Sequence, residues 1–115
     1  AVYDAGQVIN RKSAEGQVED GIVMSLGYAL TEDYPLKDCV PQAKYAKLGL
    51  WRANAVPEID VKFVSAPVKG EAAYGAKGIG EISSIPTAPA VAGAYFKRDG
   101  VLRTSLPLEG TPYRK

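Results

Sequence analysis

The chain contains no histidine and a single cysteine, Cys39. Those two shortages exclude disulfide frameworks, cysteine-held clusters, zinc sites built on His or Cys, and nucleophiles activated by an imidazole. If these residues take part in catalysis, their acid–base groups are carboxylates, lysines or tyrosines. Cys39 lies in the proline-bounded stretch "YPLKDCVPQ" with no base nearby to activate it, and reads as a partly buried loop thiol without a function. Charge of one sign is lacking too. Fourteen basic residues face thirteen acidic ones, for a net charge of +1, so no long-range field selects nucleic acid, membranes or acidic partners. No window approaches the roughly 18 consecutive apolar residues of a membrane span, and no charged-then-apolar leader opens the chain. A soluble, cytoplasmic chain is expected. It also reads as a piece of something longer, since it begins with Ala1 in what looks like the second half of a strand.

What is present fits one domain of 115 residues. "AVYDAGQVIN" reads as a strand end turning at Asp4 to Gly6. From Ser13 onward, Val18, Ile22, Leu26 and Ala29 recur at helical spacing, which predicts a helix from about residue 13 or 14 to about 31. Glu15, Glu19 and Asp20 then fall in its opening turns, where the helix dipole favours anions. Gly16, Gly21 and Gly27 each cost about 1 kcal/mol in a helix interior and point to close approach by another backbone or a ligand. Residues 32–57 carry Pro35, Pro41, Pro57 and the aromatics Tyr34, Tyr45 and Trp51 without a clear period, as a long irregular excursion with one short strand or turn. "EIDVKFVS" alternates as a half-buried strand. "SSIPTAPAVAGAYFKRDG" predicts a helix of about three turns, capped by Ser83 or Ser84 and stopped by Lys97, Arg98 and Gly100, and "VLRTSLPLEGTPYRK" a short strand and a proline-rich tail. The fold class is α+β: two helices packed on a small sheet.

The chemistry concentrates in "YGAKGIGEISSIP". It is not a nucleotide P-loop, because an alanine separates glycine from lysine and Gly78 stands where the hydroxyl belongs. Nor is it the dinucleotide fingerprint, since Gly75, Gly78 and Gly80 have that spacing reversed. What remains is a flexible backbone able to approach a ligand closely, followed by a helix start that favours anions. By spacing alone Glu81 is an exposed carboxylate beside that helix.

"GQVEDGIVMSLGYALTE", "VPEIDVKFV" and "YGAKGIGEISSIPTAPAVAGA", with the opening "DAGQVIN", together resemble the C-terminal end of the molybdopterin-binding catalytic subunit of molybdenum hydroxylases, the xanthine dehydrogenase and aldehyde oxidase family. The resemblance implies that Glu81 is the catalytic base, that Lys77, Gly78, Ile79 and Gly80 are backbone bordering the molybdenum and its pterin, and that Gln17 contacts the cofactor. For Gln17 a helix-surface amide, and for Lys77 a solvated loop charge, are the plainer readings. Arg11 in place of a proline, Asp20 in place of a glycine, and "KLGLWRAN" in place of a Pro-Thr-Ala run depart from the family's pattern without touching Glu81.

The implied reaction is hydroxylation of an electron-poor carbon in a purine, another N-heterocycle or an aldehyde, with water as oxygen source and Glu81 taking up a proton. The implied cofactor is molybdenum-molybdopterin, with the cytosine dinucleotide form left open; iron–sulfur clusters and FAD are expected elsewhere in the full enzyme. The chain alone is then inactive. It needs the remainder of the molybdenum-binding subunit and the iron–sulfur and flavin components, and it self-associates when isolated. The competing expectation is a non-catalytic module that binds an anion at the glycine loop or serves as a docking surface.

Overall fold

The computed structural model describes residues 1–66 and 72–113, apart from the Tyr45 side chain. Strand β1 (Val2–Asp4) leads into helix α1 (Arg11–Leu30), and a two-residue hairpin, β2 (Leu36–Lys37) with β3 (Val40–Pro41), follows. Strand β4 (Lys62–Val64) and helix α2 (Ser84–Asp99) follow, with short 3-10 turns at Tyr45–Lys47, Ala53–Ala55 and Ala72–Gly75. β1 and β4 pair in parallel with Val2 opposite Lys62, and β2 and β3 pair antiparallel. The result is α+β: two helices packed against each other, plus a small sheet of β1 and β4 and a separate two-stranded hairpin of β2 and β3.

α1 begins at Arg11, two or three residues before the expected start, because the Asn10 side chain accepts a hydrogen bond from Ser13 N at 3.0 Å and so caps the helix. With that start, no acidic residue lies in the first turn. Glu15 instead pairs with Arg11 one turn back at 2.8 Å. The face that α1 buries is made of small side chains, Ala14, Val18, Gly21, Ser25 and Ala29. Ile22, Val23 and Leu26 are only half-buried.

Small residues let the helices come close. A Cβ on Gly21 would collide with Ser83 Oγ and lie 3.2 Å from Ser84 N. Ser25 Oγ accepts a hydrogen bond from Ala88 N at 3.0 Å across the same junction. Of the glycines expected to mark close approach, Gly21 meets the Ser83 hydroxyl with the Ser84 backbone just beyond it, Gly27 abuts the Glu32 side chain, and Gly16 has nothing within 4 Å.

α2 has sixteen residues rather than about three turns. Gly100, left-handed at φ 72°, ends it and donates to Phe96 O. Ser83 occupies the N-cap position, but its hydroxyl makes no capping bond and is buried without a partner among the described residues. The expected strand after residue 100 is absent from the described residues. The tail is held by non-local contacts instead. Leu108 N donates to Ala29 O at 2.7 Å, and the Leu108 side chain is fully buried. Arg103 forks onto both Asp99 carboxylate oxygens, donates to Glu109 O and covers the Tyr95 ring. Hydrogen bonding from Arg103 holds the Asp99 carboxyl at about 2.

The expected strand over "EIDVKFVS" forms only at residues 62–64, though the alternation holds, with Val61 buried and its neighbours Asp60 and Lys62 exposed. Within residues 32–57, Trp51 meets the Tyr113 ring, with centroids 5.5 Å apart and the planes tilted by 48°. Cys39 is exposed, not partly buried: Asp38 and Cys39 both take positive φ in the two-residue turn between β2 and β3.

Two alanine substitutions in α1 separate packing from propensity. Gly16→Ala should raise stability by up to about 1 kcal/mol, whereas Gly21→Ala should lower it by about 1–3 kcal/mol through overpacking. Denaturant midpoints of the folded protein measure both.

Candidate functional site

The glycine loop is fastened to β1 by backbone and side chain together. Past Asp4 the chain turns at Gly6, whose φ of +58° favours glycine and where a Cβ would collide with Gly75 O. Gly6 bridges Ala76 in antiparallel fashion, with Gln7 N donating to Gly75 O at 2.9 Å and Lys77 N to Ala5 O at 3.0 Å. One Asp4 oxygen accepts from Gly6 N at 3.0 Å, and the other accepts from the Lys77 ammonium at 2.6 Å. The Lys77 hydrogen bond, seconded by that from Gly6, holds the Asp4 carboxyl below its ordinary range.

Immediately upstream, Ala73 and Tyr74 have positive φ (56° and 57°) ahead of Gly75 at 80°. Side chains in that region carry a steric cost, and such strain concentrates at functional loops.

The far end of the loop is held by α1. Gln17 Nε2 donates to Gly80 O at 2.7 Å, a contact spanning 63 residues of sequence. Since the peptide is trans, fixing the Gly80 carbonyl also fixes the Gly80–Glu81 peptide plane, and the Glu81 N–H points away from Gln17. Between the two fastenings lies an open cleft of about 430 Å³ lined by Gln7, Asn10, Gln17, Lys77, Ile79 and Gly80, among others.

Gly78 and Gly80 are exposed, take no positive φ, and would seat a Cβ with nothing within 4 Å. Nothing in the packing of the described residues requires glycine there. Bare backbone facing open space, beside an amide side chain, is a donor set suited to a group brought close from outside the chain. Glu81 follows directly. Its carbonyl accepts from Ser84 N at 3.0 Å and Ser84 Oγ at 2.7 Å, which sets the start of α2. Its carboxylate is exposed and makes no hydrogen bond or ion pair among the described residues.

Of the residues singled out in the sequence, Gln17, Lys77, Ile79 and Gly80 line one cleft, with Gly78 and Glu81 adjoining it in the chain. Lys77 is not a free loop charge, since its ammonium is engaged by Asp4. Asp4, Gln7, Asn10 and Ser13 also build the site and were not singled out. The Asn10 cap, three residues before Ser13, was the one local signal available for them.

Residues 1–57 match the family described as the molybdopterin cofactor-binding domain. The putative xanthine dehydrogenase molybdenum-binding subunit of Escherichia coli (strain K12) is 33% identical over 116 residues, covering 98% of this chain and 15% of that protein. The aldehyde oxidoreductase of Megalodesulfovibrio gigas is 28% identical over 105 residues, covering 90% of this chain and 11% of that protein. The crystal structure of quinoline 2-oxidoreductase from Pseudomonas putida 86 superposes with a TM-score of 0.79 at 26% identity, covering 92% of this chain and 14% of that one. Fold and matches together define a section of the molybdenum-binding subunit of an oxidoreductase. The chain belongs to the molybdopterin-binding subunits of the molybdenum hydroxylases, and it spans 11–15% of the length of the curated relatives it matches.

The Asp4 titration tests the loop fastening. Because its folded-state pKa is lowered, the stabilisation is fully present above the ordinary value of 3.8 and is lost only as pH falls through the depressed folded value. Lys77→Met should bring the Asp4 titration back up towards 3.8, as read by carboxylate NMR.

Proposed function

We propose that residues 1–115 form a single section of the molybdopterin-binding domain of an enzyme that hydroxylates a purine, another N-heterocycle or an aldehyde with water as oxygen source. In this reading Glu81 is the catalytic base, and Gln17, Lys77, Gly78, Ile79 and Gly80 form part of the pterin site. The observation that carries it is the 2.7 Å bond from Gln17 to Gly80 O, which joins the segment matching the cofactor-binding family to the loop that ends in Glu81.

The molybdenum-molybdopterin group, when bound, supplies the redox chemistry and the activated oxygen. The chain's share is placement and proton transfer. Gly78 and Gly80 let bare backbone approach the group, and the Ile79 side chain lines the cleft between them. Gln17 holds the peptide plane just before Glu81. Glu81 then accepts the proton at a carboxylate oxygen.

The chain's shape supports a section completed by other protein. Its radius of gyration is 17.2 Å, against about 13 Å for a compact domain of this length. It exposes 8331 Å², against about 6,000 Å² for a folded monomer of this mass. α2 presents Ile85, Pro89 and Phe96 on its outer face, all exposed, while its other side meets α1. A helix apolar on both faces belongs in an interior. The partners are then the remainder of the molybdenum-binding subunit and, through it, iron–sulfur and flavin components that carry their own cofactors. Among the described residues no helix is long and apolar enough to cross a membrane, and a cytoplasmic location is part of this proposal. A self-sufficient anion-binding or docking module is disfavoured by the same extended shape.

Two experiments test the reading. In the assembled enzyme, Glu81→Gln should cut turnover by at least about 100-fold, the lower end of a general base's contribution, with molybdenum content unchanged; near-normal turnover would remove Glu81 from the mechanism. The isolated chain should bind a hydrophobic dye, self-associate in analytical ultracentrifugation and hydroxylate neither purines nor aldehydes. A monomeric chain that binds no dye would favour the self-sufficient module.

A further inference from the structure

We propose that Asp4 is a positioning residue for the glycine loop: by holding the Lys77 ammonium and the Gly6 amide at once, its carboxylate sets where residues 77–81 leave β1, and so where Glu81 is presented. The inference rests on the proposed role of Glu81.

Three observations carry it. Asp4 ends β1, whose parallel pairing with β4 gives it a fixed base. Its two oxygens are divided between the two sides of the junction, Gly6 N on its own strand's exit and Lys77 Nζ on the loop. Lys77 is four residues before Glu81, and at the intervening Gly78 and Gly80 a Cβ would meet nothing within 4 Å, so no side-chain packing steadies this stretch. Among the described residues the loop is then held by ties at its two ends. Gln17 secures one end at Gly80, while the Gly6–Ala76 bridge and the Asp4–Lys77 pair secure the other.

Asp4 and Lys77 remain 43% and 37% exposed, so the pair adds little to global stability. Its effect falls on position, and small displacements of a reacting group carry large rate penalties.

The test uses the assembled, cofactor-loaded enzyme. Asp4→Asn keeps an acceptor for Gly6 N and removes the charge and the second carboxylate oxygen that hold Lys77. It should lower kcat by about tenfold or more with KM and molybdenum content unchanged. It should also speed amide hydrogen exchange across residues 75–81 several-fold, while leaving the melting temperature nearly unmoved. Lys77→Arg, which still reaches the carboxylate, should keep slow exchange. The double variant Asp4→Asn/Lys77→Met should exchange no faster than Lys77→Met alone. Wild-type kcat or wild-type exchange in Asp4→Asn would overturn the proposal, as would additive effects in the double variant. The two proposals fail separately: if Glu81→Gln retains turnover the base is misassigned, whereas loss of turnover in Glu81→Gln with an unaffected Asp4→Asn refutes only the positioning role.

Discussion

The structure depends on the contact between the first half of α1 and the residues that start α2. Gln17 holds the Gly80 carbonyl, and one turn further along the helix Gly21 makes room for Ser83 and Ser84. These contacts lie on one face of α1, since positions 17 and 21 are four apart. The same helix face therefore orients the end of the glycine loop and docks the helix that follows it. Any side chain at Gly21 pushes α2 outward, and with it the turn that carries Glu81.

The rest of the site follows from that junction. The glycine loop leads into α2, tied to the end of β1 and the turn after it through Asp4–Lys77 and Gly6–Ala76, and to α1 at Gly80. Between the ties, the backbone at Gly78 and Gly80 is bare and open. Neither glycine takes a positive φ, and a Cβ at either would meet nothing within 4 Å. Under the proposed function that open backbone faces the cofactor, and the surfaces around the Glu81 carboxylate come from the remaining length of the subunit.

The parts of this arrangement that depend on local spacing were legible in the sequence. α1 showed in Val18, Ile22, Leu26 and Ala29; β4 in the alternation around Phe63; and the end of α2 in Lys97, Arg98 and Gly100. The start of α1 was misplaced because Asn10, rather than the residues around Ser13, supplies the cap. The tail was misread because its order comes from Leu108 against Ala29 and Arg103 on Asp99, contacts that carry no period. Asp4 and Lys77, 73 residues apart, give no sign of pairing in the sequence. Spacing made Glu81 a surface carboxylate, which is how it stands in this chain; its proposed role came from the family resemblance alone.

The most direct test of the central claim is a structure of the assembled subunit with its molybdenum cofactor bound. The account predicts that the Gln17–Gly80 bond persists, that the backbone of residues 78–80 lies against the cofactor with no protein side chain between, and that the Glu81 carboxylate faces the metal. A cofactor seated elsewhere, with Glu81 turned to solvent or covered by another part of the protein, would contradict it.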